Sequence, residues 1–388
     1  MKNKQESNSI FQCPICGNTD IHSIGYLNGK PYCRRCISFR GEEVENKPSY
    51  PKKAPIHLEY ELSPEQKLLS DKLVENYKKG IDSLVYAVCG SGKTEIVLNV
   101  IQFAVQKGIR VGFVIPRRDV VIEITERLKS IFKDNSVVSV YGGHNETLEA
   151  DIVCLTSHQL YRYKKYFGLL VIDEIDAFPF KGNKVLEALF LNAIDGPFIK
   201  MSATPSKEDI EYFKKPNKDI LELTRRYHGD ALPVPQVIKT GKIRKYVCIF
   251  RLIARYKKSN KPLFIFCPSI SICEKLYDIM KIFYRSVNCV HSKKKDRELT
   301  IDNFKKGNTQ ILFTTSVLER GVTVKDLQVI VFDADHSLYT EQVLIQISGR
   351  VGRKIGATKG DVIFICEKET EDIKRCISKI ESANLTLR

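Results

Sequence analysis

The sequence predicts an α/β protein with two lobes, each a parallel sheet covered by helices, behind a small cysteine-rich module. Apolar strand candidates alternate with helical patterns in two series, at 110–201 and at 263–365, and such alternation is typical of parallel sheets. A polar, proline-containing stretch, 225–235, separates the two series. Four of the 12 cysteines form two pairs between residues 13 and 36, ahead of both series.

Length and composition limit the possible classes of protein. A chain of 388 residues suits two domains of ordinary size and a small addition. The formal charge of +16 favours a polyanionic partner. No apolar run approaches the ~18 residues of a membrane helix, and residues 1–9 lack the apolar core of a signal peptide. We therefore expect a cytoplasmic protein, and peripheral attachment to the inner face of the membrane stays open.

Residues 1–42 are predicted to form a zinc-ribbon-like module. The two C-x-x-C pairs are Cys13 with Cys16 and Cys33 with Cys36. The 16 residues between the pairs are a spacing typical of zinc ribbons. Four thiolates close the metal site, so the Zn²⁺ would be structural. The dipeptide Asn28-Gly29 predicts a hairpin between the pairs.

Two alternatives for the cysteines are a redox pair and four incidental thiols. A redox C-x-x-C is expected in a βαβ context, which is missing here. Whether the module binds DNA or a protein stays open. The charged stretch 43–57 contains prolines and predicts a linker to the first lobe, placed at 58–228. Ser63, Pro64 and Gln66 form a capping-box signature for the first helix of that lobe.

A phosphate-binding loop is predicted at residues 87–94, AVCGSGKT, between an apolar strand candidate and a helical pattern. Its glycines let backbone N–H groups turn toward the phosphates, Lys93 reaches the β- and γ-phosphate oxygens, and Thr94 can hold Mg²⁺. The residues predicted to bind the nucleotide here are Gly90, Ser91, Gly92, Lys93 and Thr94. Ala87 departs from the full pattern, which has glycine at that position. A plain strand-to-helix turn is the alternative.

The second half of the site follows the apolar run 168–172, which ends in Asp173-Glu174-Ile175-Asp176. Ligands bind beyond the carboxyl ends of parallel strands. Asp173 can hold Mg²⁺ through water, and Glu174 can polarise the water that attacks the γ-phosphate. An acidic turn is common after a strand, but two halves of one phosphate site are improbable by chance. The sequence therefore predicts hydrolysis of a nucleoside triphosphate.

The second lobe, placed at 229–388, contains the segment QISGRVGR at 346–353. We predict that Arg350 and Arg353 are arginine fingers, which stabilise the charge of the γ-phosphate in the transition state. Because the other lobe would supply them, hydrolysis would be coupled to lobe closure. A basic surface helix is the alternative, but glycines interrupt the segment.

Five segments stand in the order of the superfamily-2 helicase motifs, which the chain resembles over about residues 60–370. They are AVCGSGKT, DEID, Ser202-Ala203-Thr204, Thr314-Thr315 with Arg320-Gly321, and QISGRVGR. With its four-cysteine module in front, the chain resembles the ComFA family of late-competence ATPases. The resemblance implies two RecA-like lobes that use ATP and Mg²⁺. It also implies a motor that pulls single-stranded DNA into the cell, with a ComEC-like channel protein and a ComFC-like protein as partners.

The resemblance also assigns roles to single residues. Gln66 matches a glutamine that recognises adenine, although its capping role explains it equally well. Ser202 and Thr204 match the segment that couples hydrolysis to lobe movement. Gly321 matches an ATP-binding position and Gln346 a catalytic one. The positions matched to nucleic-acid contacts are Pro116, Arg117, Thr156, Ser157, Ser269 and Thr314. Such contacts to the backbone do not depend on base sequence, as a translocating motor requires.

Two departures from the RNA-remodelling DEAD-box relatives favour DNA as the substrate. Thr323 stands where those relatives carry aspartate for the ribose, and Gln346-Ile347 replaces the His-Arg opening of their last motif. A PriA-like replication-restart or repair helicase is an alternative, although PriA places its zinc site between the lobes. An ATP-gated scaffold that recruits partners without processive movement is a second alternative. ATP turnover with and without single-stranded DNA would separate the scaffold from the motors.

Overall fold

The computed structural model of the chain describes residues 11–39, 41–88, 90–144, 146–223, 226, 230–318, 322–353 and 356–385. Within them the chain divides into two compact units. Unit 1 comprises the residues up to Tyr86 together with Lys93–Glu222. Unit 2 comprises Ala87–Gly92 and the residues from Leu223 onward. Each unit contains one of the two predicted parallel sheets, which confirms the α/β fold class.

The cysteine module is a small antiparallel hairpin with a 3-10 turn before and after it. Its elements are a 3-10 helix at Ile21–Ser23, strand β1 at Ile24–Leu27, strand β2 at Lys30–Cys33 and a 3-10 helix at Arg34–Cys36. Asn28 and Gly29 join the strands with φ of 50° and 73°. Two positive φ angles are what a tight type I′ hairpin turn requires, so the hairpin prediction is confirmed.

The segment 43–57 has no helix or strand, but hydrogen bonds and an ion pair hold it against the surface of unit 1. Ala54 is buried, and its carbonyl accepts a hydrogen bond from Gln102 Nε2 at 2.7 Å. The backbone N–H of His57 donates to the Ile131 carbonyl at 3.0 Å. Lys52 Nζ lies 2.7 Å from Asp151 Oδ1. These contacts fix the segment, which we call the strap, at successive points.

Unit 1 is built on a seven-stranded sheet. Its strands are β3 Asp82–Ala87, β4 Val111–Ile115, β5 Val137–Val140, β6 Ile152–Thr156, β7 Leu169–Ile172, β8 Phe198–Ser202 and β9 Lys218–Leu223. Its helices are α1 Pro64–Lys78, α2 Lys93–Ile96, α3 Leu98–Gln106, α4 Arg118–Ile131, α5 Lys184–Ala193 and α6 Lys207–Phe213, with a 3-10 helix at Ser157–Arg162. The spatial order is β5-β6-β4-β7-β8-β3-β9. Every residue of β4, β6 and β7 is buried, because helices cover both faces of a parallel sheet.

Unit 2 contains a six-stranded parallel sheet in the order β10-β15-β14-β11-β13-β12. The strands are β10 Gln236–Lys239, β11 Leu263–Phe266, β12 Val287–Val290, β13 Ile311–Thr314, β14 Gln328–Phe332 and β15 Val362–Cys366. The helices are α7 Arg244–Lys258, α8 Ile270–Phe283, α9 Arg297–Lys305, α10 Glu341–Ser348 and α11 Glu371–Leu385, with a 3-10 helix at Ser316–Leu318. Along β11, Phe264 and Phe266 enter one apolar cluster while Leu263 and Ile265 enter another. Both faces of the sheet are therefore core.

In the described part of the chain, none of the helices combines the length and the apolar character that a membrane crossing requires.

Candidate nucleotide and nucleic-acid site

Three strands of the sheet in unit 1 lead into segments that the sequence predicts to bind the nucleotide or to couple its hydrolysis. Strand β8 lies between β7 and β3 and is parallel to both. The carboxyl ends of the three strands therefore meet at the same edge of the sheet. The loop at 88–92 follows β3, Asp173 follows β7, and Ser202 is the last residue of β8. The ends of β3 and β7, which lead into the two predicted halves of the phosphate site, therefore lie at one edge of this sheet.

The predicted phosphate loop has the backbone that its glycines allow. Gly90 and Gly92 have φ of 82° and 79°, in the left-handed region that favours glycine. The N–H of Ser91 donates to the Val88 carbonyl at 3.2 Å, which closes a tight turn. Helix α2 then begins at Lys93, and Thr94 is buried in its first turn. Loop N–H groups ahead of a helix N-terminus suit an anion such as a phosphate.

The acidic segment is held from both sides of β7. The N–H of Asp173 donates to the Val114 carbonyl on β4 at 3.0 Å, and that of Ile175 to the Met201 carbonyl on β8 at 3.4 Å. Between them, Glu174 has φ of 57°. Its N–H donates to Asp173 Oδ1 at 2.8 Å. Neighbouring strands therefore fix the direction in which Asp173 and Glu174 leave the sheet.

Asp176 links the acidic segment to the predicted coupling residues. Its carboxylate accepts a hydrogen bond from Ser202 Oγ at 2.8 Å and another from Thr204 Oγ1 at 2.7 Å. The N–H of Thr204 also donates to Ser202 Oγ at 2.9 Å. Asp176 therefore joins the segment that contains Glu174 to both Ser202 and Thr204. The sequence analysis gave Asp176 no role of its own, although its place two residues after Glu174 was visible.

The predicted nucleic-acid contacts of unit 1 follow β4 and β6, at the same edge of the sheet. Strand β4 pairs in parallel with both β6 and β7. Pro116-Arg117, after β4, and Thr156-Ser157, at the end of β6, therefore lie at the same sheet edge as Asp173, which follows β7. Arg117 occupies the N-cap position of α4. The side chains of Thr156 and Ser157 are buried. The Ser157 hydroxyl has no hydrogen-bond partner among the residues that the structure describes.

In unit 2 the predicted contacts follow the neighbouring strands β11 and β13. Ser269 accepts the Ile272 N–H at 3.2 Å and so caps α8. Thr314 is buried, and its hydroxyl donates to the Thr315 carbonyl at 3.0 Å. The predicted ATP-binding Gly321 lies outside the described residues, as does Arg320 of the same motif.

The arginine-containing segment follows α10 and is tightly bonded within unit 2. Gln346 is buried on α10, and Arg350 is only 2% exposed. Arg350 Nη1 donates to the Val322 carbonyl at 2.8 Å, and Arg353 Nε donates to the Gly349 carbonyl at 2.7 Å. Both predicted arginine fingers are therefore held by backbone carbonyls of their own unit.

A third arginine, which the sequence analysis missed, holds the same segment. Arg226 is 3% exposed, and its Nη1 donates to the carbonyls of Val351 and Gly352, each at 2.8 Å. A β-carbon added to Gly352 would lie 2.2 Å from the Thr358 carbonyl oxygen and 2.9 Å from Arg226 Nη1. Glycine is therefore needed at 352. Arg226 lies in a polar stretch with no periodicity, so nothing in the sequence distinguished it from a solvated cation.

Gln66 is placed as the capping signature predicts. Its side-chain oxygen accepts the Ser63 N–H at 2.9 Å, and its own N–H donates to Ser63 Oγ at 3.2 Å. The side chain is buried at the start of α1. The capping explanation is confirmed, and recognition of adenine by the same residue stays a prediction.

The four predicted metal ligands form one cluster. Their sulfur atoms all lie within 4.8 Å of one another, with Cys13 Sγ 3.9 Å from Cys36 Sγ and Cys16 Sγ 3.8 Å from Cys33 Sγ. A zinc ion ~2.3 Å from each of four sulfurs would set them about 3.8 Å apart. Gly17, with φ of 66°, donates its N–H to the Cys13 carbonyl and closes the first knuckle. The donor set and its spacing therefore fit a tetrahedral thiolate site.

Two family models match the chain, one on each predicted lobe. The model described as "DEAD/DEAH box helicase" matches residues 66–213, and the model described as "Helicase conserved C-terminal domain" matches residues 244–355. Competence protein ComFA of Bacillus subtilis is 33% identical to the chain, over 96% of this chain and 86% of that protein. The chain belongs to the ComFA family. Competence protein ComFA of Streptococcus pneumoniae is 30% identical, over 98% of this chain and 92% of that protein.

The fold of this ComFA family member also occurs in a solved structure. Saccharomyces cerevisiae Dbp5, solved bound to RNA and ADP BeF3, superposes with a TM-score of 0.64 at 18% identity. The match covers 83% of this chain and 91% of that one. The chain therefore shares the fold of that structure. This ComFA family member is an ATP-hydrolysing, helicase-like enzyme.

Proposed function

We propose that the chain is an ATP-driven motor that moves along single-stranded DNA and draws it into the cell during competence. The observation that carries the proposal is the match to two competence proteins over nearly the whole chain. The shared sheet edge of the phosphate loop, Asp173 and Ser202 supports the motor part of the proposal. The charge of +16 supports a polyanionic substrate.

The proposed hydrolysis begins with a fixed triphosphate. Lys93 and the N–H groups of Gly90, Ser91 and Gly92 bind the phosphates. Thr94, and Asp173 through water, would hold Mg²⁺, which when bound would offset the negative charge of the phosphate oxygens. Glu174 accepts a proton from the attacking water. The Asp176 carboxylate accepts one hydrogen bond from Ser202 and one from Thr204. In this proposal these two bonds transmit the structural change at the nucleotide site to Ser202 and Thr204.

The proposed role of Arg350 and Arg353 is to stabilise the transition state, with Gln346 orienting the reacting groups. Gly321 and Gln66 complete the nucleotide site in this proposal. Charge delivered by a second lobe makes the rate depend on lobe closure, which is how a motor couples hydrolysis to a step.

The proposed path of the DNA uses backbone contacts on both units. On unit 1 these are Pro116, Arg117, Thr156 and Ser157; on unit 2 they are Ser269 and Thr314. The side chains of Thr156, Ser157 and Thr314 are buried. We therefore assign their contacts with the DNA both to their backbone N–H groups and to their hydroxyls. Phosphate contacts of this kind accept any sequence.

We further propose that the cysteine cluster binds one structural Zn²⁺ ion and that the domains are the module at 1–42, the strap at 43–57, and lobes at 58–228 and 229–388. The proposed setting is the cytoplasm, and peripheral attachment at the inner face of the membrane is the alternative. A ComEC-like channel protein and a ComFC-like protein are the proposed partners there. The clustering of the four cysteines supports the zinc site. Membership of the ComFA family supports the proposed partners.

An ATPase assay with and without oligo(dT) tests the proposal. We expect oligo(dT) to raise the turnover of zinc-loaded protein, with Glu174→Gln as the inactive control. Displacement of streptavidin from biotinylated oligo(dT) then reports movement along the strand. Stimulation without displacement would favour the ATP-gated scaffold, and preference for forked over plain single strands would favour a PriA-like helicase. A rate of ATP turnover that oligo(dT) does not change would contradict both the translocase and the PriA-like helicase.

A further inference from the structure

The structure shows the cysteine module packed against the segment of unit 1 that follows the proposed DNA contacts Thr156 and Ser157. We infer that the module braces this segment, 156–163. In this inference Phe39 is a positioning residue, which keeps the segment in the conformation that binds single-stranded DNA. The inference rests on the proposed function, because it concerns the same DNA contacts.

The first contact is aromatic. Phe39 follows the second cysteine knuckle, and its ring stacks on His158 with 6.0 Å between centroids and 19° between planes. The same ring lies 6.2 Å from that of Tyr161. Both partners belong to the 3-10 helix Ser157–Arg162, which begins at the proposed DNA contact itself. A displacement of Phe39 would therefore free one side of this short helix.

The second contact is a clamp around the end of the same 3-10 helix. Arg162 is 6% exposed, and its Nη1 donates to the Glu42 carbonyl at 3.0 Å. The N–H of Val44 donates to the Arg162 carbonyl at 2.8 Å. A buried guanidinium that loses such a partner is costly, so the chain at 42–44 keeps the end of the helix in place.

The third contact comes from the first knuckle. The carbonyl of Ile15 accepts a hydrogen bond from Asn192 Nδ2 of α5 at 2.6 Å. Ile15 and Phe39 each pack against the buried cysteines and also against the core of unit 1. The side chains that surround the thiols are thus the same ones that hold the module on unit 1.

The dependence on metal follows from the size of the module. Among the described residues, its buried apolar cluster consists of Cys13, Cys33 and Cys36, with only a few partly buried neighbours. So small a cluster cannot hold a fold by itself, and structural zinc sites supply the missing free energy. Loss of the metal would therefore release Ile15 and Phe39 and, through them, the segment 156–163.

The test compares Phe39→Ala with Ile37→Ala, a control on the same module whose side chain is 47% exposed. Zinc content, affinity for fluorescein-labelled oligo(dT), hydrogen exchange of residues 156–163 and binding of a fluorescent ATP analogue are measured for each. We expect Phe39→Ala to keep its zinc and its ATP affinity, to bind oligo(dT) about tenfold more weakly, and to exchange faster at 156–163. Ile37→Ala should match the wild type throughout.

Wild-type oligo(dT) affinity and wild-type exchange in zinc-retaining Phe39→Ala would overturn the inference. If Phe39→Ala loses its zinc, Asn192→Ala decides by the same criteria, because it removes a contact to the module from outside it. If the wild type does not bind oligo(dT), the proposed function fails. The exchange of residues 156–163 in apo and zinc-loaded protein then still decides whether the module is a brace.

Discussion

Glu174 combines an acidic side chain with an unusual backbone. Its φ of 57° lies in the left-handed region, which costs a residue other than glycine roughly 1–2 kcal/mol. The bond from its N–H to Asp173 Oδ1 offsets part of that cost. A strained backbone conformation persists when the surrounding structure holds it in place. Here the residues on both sides of Glu174, Asp173 and Ile175, are hydrogen-bonded to neighbouring strands. The backbone therefore presents the Glu174 carboxylate in one direction.

Replacement of Glu174 by glutamine should separate ATP binding from ATP turnover. The amide keeps the shape but cannot accept the proton of the attacking water, so we expect turnover to fall by about 10²-fold or more. ATP affinity should stay close to that of the wild type. Equilibrium binding of a fluorescent ATP analogue and steady-state phosphate release measure the two quantities. Glu126→Gln, on the exposed side of α4, is the control, and a parallel loss of binding and turnover would contradict the assigned role.

Arg353→Ala should affect the chemical step. If Arg353 reaches the γ-phosphate in the transition state, its loss lowers kcat by about 10³-fold or more and leaves nucleotide affinity nearly unchanged. Single-turnover hydrolysis measures this directly. Arg251→Ala removes an exposed arginine of α7 in the same unit and serves as the control. An unchanged kcat for Arg353→Ala would remove this arginine from the site.

Secondary-structure elements differ in how well the sequence predicts them. Strands β4, β6 and β7 are buried at every position, so their uninterrupted apolar runs were sufficient. Strands β9 and β10 were missed. Each lies at the end of its sheet, where one side faces solvent, and Lys218-Asp219 and Gln236 break the apolar pattern. Arg226 was missed for a related reason, since its carbonyl partners are set by tertiary structure alone.

The sequence predicted a linker at 43–57, but it did not predict the contacts of this strap with unit 1. Asp151 accepts hydrogen bonds from Lys52 Nζ and from the backbone and hydroxyl of Ser136. Burial acts to raise the pKa of Asp151, but the bonds from Lys52 and Ser136 outweigh it and lower the pKa below its usual range. The carboxylate therefore stabilises the fold above the unfolded-state pKa of about 3.9 and ceases to do so as the pH falls through the lower folded value.

Asp151→Asn should accordingly destabilise the protein in a pH-dependent way. We expect the free energy of unfolding to fall by roughly 1–2 kcal/mol at pH 7, because charged hydrogen bonds are lost. The difference from the wild type should shrink as the pH drops below about 4. Urea denaturation over a pH series measures it, and Glu43→Gln, on the exposed Lys164 pair, is the control. A difference that is equally large at acid pH would contradict the role of the Asp151 charge.

At the scale of the molecule, two sheets and the cysteine module are joined in one chain. The α/β class, the order of the motifs and the four-cysteine cluster were all predicted, because each depends on local pattern. The packing of the module on α5 and on the 3-10 helix Ser157–Arg162 was not, since no local pattern encodes a contact such as Asn192 with Ile15.

Metal analysis should find one Zn²⁺ per chain in protein purified without oxygen. Removal of the metal by a strong chelator should unfold the module while both sheets persist, because each sheet has its own core. Limited proteolysis should then cut first within residues 11–41, and ATP-analogue affinity should be retained. Cys376→Ser, in a buried helix position of unit 2, is the control for general cysteine effects. A zinc-free chain that resists proteolysis equally would contradict the prediction.

The strap also decides where the chain can be shortened. A truncation that starts at residue 58, the obvious design if 43–57 were loose, would strip Gln102 of its acceptor on Ala54, Ile131 of its donor on His57 and Asp151 of its cation. The polar and apolar surfaces of helices α3 and α4 that the strap covers would then be exposed to water. A fragment meant to lack only the cysteine knuckles should begin no later than residue 42, so that Arg162 keeps its acceptor on Glu42. The fifteen residues of the strap then stay with the fold of unit 1, to which they belong.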